Sequence, residues 1–222
     1  EQTFPEGHPY SWSVIGSMED LNAASLDDVH QWFEDYYGAA NAVLVLADDI
    51  DVETAKEKVT KYFADIGPGK PLKKHEAWVA KRDEQKRATM EDRVPAPRVY
   101  KVWNTAQMGT ADSEYLNLLA DILANGKNSR LYERLVYNEQ IASSVGAFQY
   151  GRKLAGQFMI TADAKPGVEL EQIEKIIDEE LARLIQEGPT AAELQRTKFS
   201  TTADFVRRAE KVGGFGGKSD IL

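Results

Sequence analysis

Three histidines, His8, His30 and His75, are the side chains of this sequence best suited to acid–base chemistry or metal binding. His30 and Glu34 lie four residues apart in a stretch with helical periodicity, a spacing that can present two zinc ligands on one face. No second histidine completes such a site, and His30 borders the apolar face. The pattern favours a half-buried structural histidine over a zinc ligand. His8 is predicted in a turn and His75 in a solvated linker.

Two further patterns have less specific chemistry. Residues 213–219 are GGFGGKS, but a phosphate-binding loop would need its first glycine where Val212 stands, so a flexible loop or hinge is predicted. The acidic run 178–180 predicts a solvated helix face. No Gly-x-Ser-x-Gly elbow is present, and the sequence lacks cysteine, which excludes disulfides and Cys-based zinc sites.

The elements that would position these residues follow from hydrophobic periodicity. Ser25 is suited to cap a helix that runs to about Tyr37. The apolar run Asn41–Ala47 predicts a buried strand, and a second helix follows over about Asp51–Ile66 before a Gly-Pro-Gly break. The order in the first part of the chain is therefore helix, strand, helix.

A second unit begins with a strand at Arg98. A helix over 111–123 follows, and Ser129 is suited to cap the next one. Residues 144–150 and 157–164 predict an antiparallel hairpin. The predicted inward residues of the first helix are Tyr115, Leu118, Leu119, Ile122 and Leu123, and those of a helix over 169–186 are Leu170, Ile173, Ile177, Leu181 and Leu184. A last helix begins near residue 190. The pattern predicts a two-unit α+β protein without a self-contained active site.

Composition argues against two classes of partner. The formal net charge is −9, from 27 basic and 36 acidic residues, whereas a nucleic-acid partner requires clustered Lys and Arg. No apolar run approaches the roughly 18 residues of a membrane-spanning helix. The opening EQTFPEGHPYSW and the closing GGFGGKSDIL lack evident terminal elements, so we expect a piece of a longer protein.

Two stretches resemble the pitrilysin/insulinase family of zinc metallopeptidases, which includes mitochondrial processing peptidase. The first, residues 8–51, contains HPY, IGS-x-x-D-L, a helix ending Phe-x-x-Tyr-Tyr, and Asn-Ala-x-Leu-Val-Leu. The second, residues 118–148, is LLADILANGKNSRLYERLVYNEQIASSVGAF and is similar to the second-domain signature of that family. The resemblance covers nearly the whole chain.

The resemblance implies a fold of paired two-layer α+β domains, each a mixed or antiparallel sheet covered by helices. Zinc in that family is held by a His-x-x-Glu-His helix and a downstream Glu, and the Glu inside the motif is the general base. The motif does not occur here, so the resemblance implies zinc in the parent protein and none in this chain. Residues 1–75 would be the C-terminal half of a first peptidase-like domain, 76–97 a linker, and 98–222 a truncated second peptidase-like domain.

Active members also carry, in the second domain, an Arg and a Tyr that hold substrate and stabilise the oxyanion. Aligned without gaps from Ser129, the Arg position is Val136 and the Tyr position is Ser143. Arg134 cannot substitute, because two residues along a helix turn it about 200° away. The resemblance therefore predicts no catalytic, substrate-binding or metal-binding residue in this chain.

Two functional interpretations remain open, with a binding or assembly domain unrelated to proteolysis as a third. In the first, the chain is a non-catalytic portion of a zinc-dependent endopeptidase that cleaves peptides or unfolded polypeptides in a closed chamber. In the second, it comes from an inactive homologue that acts as a partner subunit or peptide-binding module. Its partners would be a peptide substrate and the rest of the parent chain or a homologous subunit. By analogy with exported bacterial relatives, the parent is expected to be an exported bacterial protein, either periplasmic or membrane-associated.

Overall fold

A computed structural model describes residues 3–221 of the chain. These residues divide into two compact units. The sheet unit comprises residues 3–12 and 76–199, and the helical unit comprises residues 13–75 and 200–221. The elements in chain order are α1 (Met18–Ala23), α2 (Leu26–Tyr36), a 3-10 turn (Ala39–Asn41), α3 (Val52–Phe63), β1 (Arg98–Thr105), α4 (Ala111–Ala124), a π-helix (Tyr132–Asn138), β2 (Ala142–Gly151), β3 (Gly156–Ala164), α5 (Leu170–Glu187), α6 (Ala191–Glu210) and α7 (Lys218–Ile221).

The sheet unit contains a three-stranded antiparallel sheet of order β1-β3-β2. β3 alternates strictly, with its even-numbered residues buried and its odd-numbered residues half-buried, as expected for a strand with one covered face. β2 and β3 form the predicted hairpin, and β1 starts at the predicted Arg98. The predicted α+β class, an antiparallel sheet covered by helices, is confirmed.

The core of the sheet unit lies between the sheet, α4, the π-helix and α5. Its largest fully buried apolar side chains are Leu123, Leu131, Leu135, Ile160, Ile173 and Ile177. The predicted inward face of α5 is confirmed, because Ile173, Ile177 and Leu184 are buried and the two flanking leucines pack beside them. The predicted face of α4 is wrong at Tyr115, which is 68% exposed. The small residues Ser113 and Ala120 are buried instead, since they let the helix approach the sheet closely.

The helical unit has well-formed helices and no comparable core. Ser25 caps α2 as predicted, and its hydroxyl and backbone exchange hydrogen bonds with Asp28 in a capping box. Asp51 caps α3 without a capping box, and its carboxylate accepts from the amide of Thr54. Neither α1, α2 nor α3 contains a buried residue. The amphipathic patterns are therefore real, but among the described residues their apolar faces are only partly covered.

The predicted buried strand over Asn41–Ala47 is wrong for this chain. Residues 43–47 do not form a strand, and Val43 is 90% exposed. A strand requires a neighbour that accepts and donates its backbone hydrogen bonds, and no such neighbour lies beside this run within residues 3–221. The preceding residues are fixed, because the amides of Ala39 and Ala40 donate to the carbonyls of Gly67 and Pro68, each at 3.0 Å.

Candidate functional site

The segment Ser129–Val145 contains both positions that the resemblance singled out, and we treat it as the candidate site. Ser129 is fully buried and stands directly before the helical residues, as predicted, and its carbonyl accepts from the amide of Glu133 at 2.9 Å. Its hydroxyl donates to the carbonyl of Gly126 at 2.7 Å, which closes the turn after α4. The turn delivers the chain directly into the π-helix.

Arg130 fastens the start of this segment to the connection between α5 and α6. Its guanidinium makes a two-pronged ion pair with Glu193, with N···O distances of 2.7 and 2.9 Å, and donates to the carbonyl of Gly188 at 3.1 Å. The hydrogen bond from Arg130 is the main reason that the pKa of Glu193 falls to about 2, and the amide and hydroxyl of Thr190 lower it further. Both partners are shielded from solvent, so this pair is structural.

Arg134, one turn later, joins the π-helix to α5. It contacts Glu139 at 3.1 Å, Glu179 at 2.9 Å and Glu180 at 3.1 Å. Burial opposes its charge, yet the hydrogen bonds to Glu179 and Glu180 outweigh that effect and raise the pKa of Arg134. The prediction of a solvated acidic face over 178–180 is wrong at Glu180, which is 1% exposed. Arg183 also reaches Glu180, at 2.6 Å.

An open cavity of about 360 Å³ lies beside Arg134. Its walls include two cations, Arg134 and Lys175, and two anions, Glu139 and Glu179, over a floor of isoleucine. The two carboxylates already pair with Arg134, and Lys175 lies 4.0 Å from Glu179. Each charged side chain that lines the cavity therefore lies within 4.0 Å of an opposite charge.

Val136 and Ser143 occupy very different surroundings. Val136 is half-buried and packs against the core, where its aliphatic side chain contributes apolar contact and no charge. Ser143 is exposed and is the extra residue of a β-bulge, because Ala142 pairs with Ala164 while Ser144 pairs with Asp163. The hydroxyl of Ser143 donates to the carbonyl of Asp163 at 3.4 Å.

Between these two positions the backbone makes a sharp turn. The π-helix ends with the amide of Glu139 donating to the carbonyl of Arg134, five residues back. Gln140 then adopts φ 53°, in the left-handed region that favours glycine. The amide of Ile141 returns to the carbonyl of Leu135 at 3.0 Å. The turn fixes the start of β2 against the core that contains Leu131 and Leu135, and Ile141 packs beside them.

The three histidines lie outside the segment Ser129–Val145. His8 is fully buried, which the predicted turn did not anticipate. Its Nδ1 accepts from the amide of Tyr10 at 3.0 Å and its Nε2 donates to the carbonyl of Trp78 at 2.9 Å, so both nitrogens are satisfied in one neutral tautomer. No local signal predicts this arrangement, because Trp78 lies 70 residues away.

His30 is exposed, which corrects the prediction of a half-buried structural histidine. The physical reason is the uncovered face of α2 in this chain. His75 is exposed as predicted. Across residues 3–221, no group of three or more His, Cys, Asp or Glu side chains is placed to hold a metal ion. Residues 212–217 form a loop between α6 and α7, with the amide of Gly216 bonded to Asp220.

The sequence is similar to a known protein family and to two bacterial proteins. The sequence matches the model of the peptidase M16 inactive domain over residues 23–201. It is similar to zinc protease PqqE of Helicobacter pylori, with 27% identity over 215 residues, covering 95% of this chain and 48% of that protein. It is also similar to the uncharacterized zinc protease YmxG of Bacillus subtilis, with 25% identity over 222 residues, 97% of this chain and 52% of that protein.

A solved structure shows the same fold. The peptidase M16 inactive domain from Pseudomonas fluorescens superposes with a TM-score of 0.78 at 21% identity, covering 91% of this chain and 50% of that chain. The chain therefore spans about half the length of the curated relatives that it matches. None of the helices described between residues 3 and 221 has the length and apolarity required to cross a membrane.

Proposed function

This chain belongs to the peptidase M16 inactive-domain family, and we propose that it is a non-catalytic portion of a zinc-dependent endopeptidase that cleaves peptides or unfolded polypeptides in a closed chamber. Both curated relatives are named zinc proteases, and each is about twice as long as this chain. Catalysis would then require the part of the parent that lies outside these 222 residues.

The observation that carries the proposal is the uncovered apolar surface of the helical unit. Large side chains such as Trp32, Phe33 and Leu44 are about half exposed there. Full burial of one such side chain contributes about 1.5–3 kcal/mol, and large exposed apolar patches mark surfaces that another part of a protein covers. The rest of the parent, or a homologous subunit, is the partner that the proposal assigns to this surface.

We propose that zinc in the parent is held outside this chain. The described acidic side chains that do cluster, Glu139, Glu179 and Glu180, are tied to Arg134 and do not fit a metal site. The family's substrate-binding Arg and Tyr would also come from elsewhere, because Val136 packs in the core and Ser143 carries only a hydroxyl. The role proposed for this chain is structural: it forms part of the chamber wall.

The proposal keeps the domain boundaries expected from the resemblance. Residues 1–75 would complete a first peptidase-like domain, 76–97 would link the domains, and 98–222 would begin a second one. We also propose a periplasmic parent, following the resemblance to exported bacterial proteases. Fractionation of cells that express the tagged parent tests this location, and a cytoplasmic signal would contradict it.

The test of function uses the full-length parent. We expect about one zinc per molecule by elemental analysis and cleavage of unstructured peptides, with cleavage abolished when the Glu of the upstream His-x-x-Glu-His motif is changed to Gln. The matched control is the 222-residue chain alone, which should neither retain zinc nor cleave. A parent without zinc and without cleavage would contradict the enzyme and favour the alternative, an inactive homologue that pairs with an active subunit or binds peptides.

A further inference from the structure

The two edges of the sheet are not equivalent. β1 carries two cationic residues, Arg98 and Lys101, whereas the ten residues of β2, Ala142–Gly151, include neither a charged residue nor a proline. Native proteins protect exposed edges with charge, proline or a covering segment, because an unprotected edge pairs with other strands. The composition of β2 is that of an edge left available for pairing.

Contacts of residues 76–97 strengthen this difference. The side-chain amide of Asn104, near the end of β1, donates to the carbonyl of Ala80 at 2.9 Å. Further along, Arg87 binds Glu174 at 2.7 Å, and Lys101 of β1 reaches the same carboxylate at 3.5 Å. The segment thus contacts β1 at Asn104 and shares Glu174 with Lys101. In the part of the chain that the structure describes, the backbone of β2 is hydrogen-bonded to β3 alone.

The side chains of β2 on the open face of the sheet are also uncharged. Phe148 and Tyr150 are 43% and 52% exposed, and they lie opposite Met159 and Gln157 of β3. Gly146 stands two residues before Phe148 on the same face, and a side chain there would meet the Thr161 hydroxyl at 3.4 Å. An incoming strand could lay an apolar side chain over Gly146 and stack another on Phe148 or Tyr150.

Both ends of this edge are fixed. At the start, Asp163 accepts from Ser144 at 2.5 Å and from Arg98 at 2.5 and 3.1 Å, so its charge is neutralised. At the far end, Arg152 lies 3.9 Å from the ring centre of Tyr10 and donates to Gln157 at 3.1 Å. The edge between these anchors matches a strand of roughly six to eight residues.

We propose that the free edge of β2 binds an extended, uncharged peptide segment as a fourth strand, with its apolar side chains on Gly146, Phe148 and Tyr150. The inference rests on the proposed function, because a peptidase chamber supplies unfolded polypeptide. It needs neither the zinc site nor the family's Arg and Tyr. Main-chain hydrogen bonds give the affinity, and alternate side chains give the selectivity.

A pair of N-methylated peptides tests the backbone pairing. The probe is a fluorescent eight-residue peptide of alternating Thr and Val with a central Phe, titrated into the 222-residue chain. Methylating the amides that face β2 should weaken binding about tenfold or more, whereas methylating the alternate amides should change it less than about threefold. Equal binding of both methylated peptides would overturn the proposal, as would no binding of the unmethylated peptide at about 1 mM.

Matched variants test the side-chain contacts. Phe148→Ser should weaken binding of the same peptide about tenfold. Tyr100→Ser, which removes an aromatic that is 59% exposed on the far edge strand β1, should leave it unchanged. Circular dichroism confirms that both variants are folded. Equal losses in the two variants would overturn the assignment to β2, and so would a β2-to-β2 dimer in sedimentation that excludes the peptide.

The two proposals fail separately. Zinc-dependent cleavage by the parent without peptide binding at β2 would overturn this inference alone. Peptide binding that depends on Phe148, with a parent that holds no zinc and cleaves nothing, would overturn the proposed enzyme and leave the β2 site in place.

Discussion

The sheet unit and the helical unit use the same kind of helix for opposite outcomes. α5 of the sheet unit and α2 of the helical unit are both strongly amphipathic. α5 buries Ile173, Ile177 and Leu184 against a sheet, while α2 buries nothing. The difference teaches that hydrophobic periodicity identifies the face that will be covered, but the covering element has to be present before that face contributes stability.

The largest expected effect is a loss of stability on mutation of the sheet-unit core, and the comparison of the two units fails if this loss is absent. Leu135→Ala removes a fully buried side chain from the core of the sheet unit, and we expect a loss of about 2–5 kcal/mol in the free energy of unfolding. Phe33→Ala, the matched change in α2, removes a side chain that is 52% exposed and should cost less than about 0.5 kcal/mol in this chain. Urea titrations followed by circular dichroism measure both, and equal losses would contradict the comparison.

The second prediction concerns the buried ion pair of the sheet unit. Arg130→Met keeps most of the side-chain volume but leaves Glu193 without its main partner, and removal of one member of a shielded pair costs about 3–5 kcal/mol, an upper range here because Glu193 retains Thr190. The matched control is Lys70→Met, which removes an exposed ion pair with Asp35 in the helical unit and should have almost no effect. A neutral Arg130→Met would show that the pair does not anchor the site.

The third prediction is a pH dependence from the same pair. The pKa of Glu193 is about 2 in the folded protein and near its ordinary value when unfolded. The lowered pKa stabilises the fold above the unfolded value of about 4.3, and this contribution disappears as the pH falls toward 2. Between about pH 5 and pH 2, the unfolding free energy of the wild type should fall by about 1–2 kcal/mol more than that of Glu193→Gln, after allowance for solvent screening. Parallel acid titrations with Glu193→Gln would contradict this assignment.

The smallest expected effect sharpens the account of the candidate site. Gln140 has φ 53°, so Gln140→Gly should relieve backbone strain and raise the free energy of unfolding by about 0.5–1 kcal/mol. The neighbouring change Asn138→Gly, inside the π-helix, should lower it by a similar amount. Thermal unfolding of the two variants compares them, and a destabilised Gln140→Gly would mean that the glutamine side chain contributes more than the turn costs.

Sequence patterns were sufficient where the contacts are local or follow one face. The hairpin, the Ser25 cap and the inward residues of α5 depend on neighbours a few positions away. The failures have long-range causes. His8 is buried by a residue 70 positions distant, and Glu180 lies in the core because Arg134 of the π-helix neutralises it. Residue spacing along the sequence predicts neither of these contacts.

The strand predicted over Asn41–Ala47 was wrong for a different reason. Residues 43–47 are apolar and rich in strand-forming side chains, but a strand exists only when another strand pairs with it. The candidate site shows the same limit, since the alignment identified the positions of Val136 and Ser143 but not the bulge that holds Ser143 at the start of an open edge. Composition describes what a segment can do, and its neighbours decide what it does.

The most direct test of the central claim is amide hydrogen exchange, measured by mass spectrometry on this chain and on its full-length parent. We expect the amides of α2 and α3 to exchange at least about tenfold more slowly in the parent, because the proposal assigns the cover of their apolar faces to the rest of the parent. The amides of α4 and α5 should exchange at similar rates in both, since their core is already complete. Equal protection of α2 and α3 in the two proteins would contradict the claim that this chain is a portion completed by the rest of a peptidase.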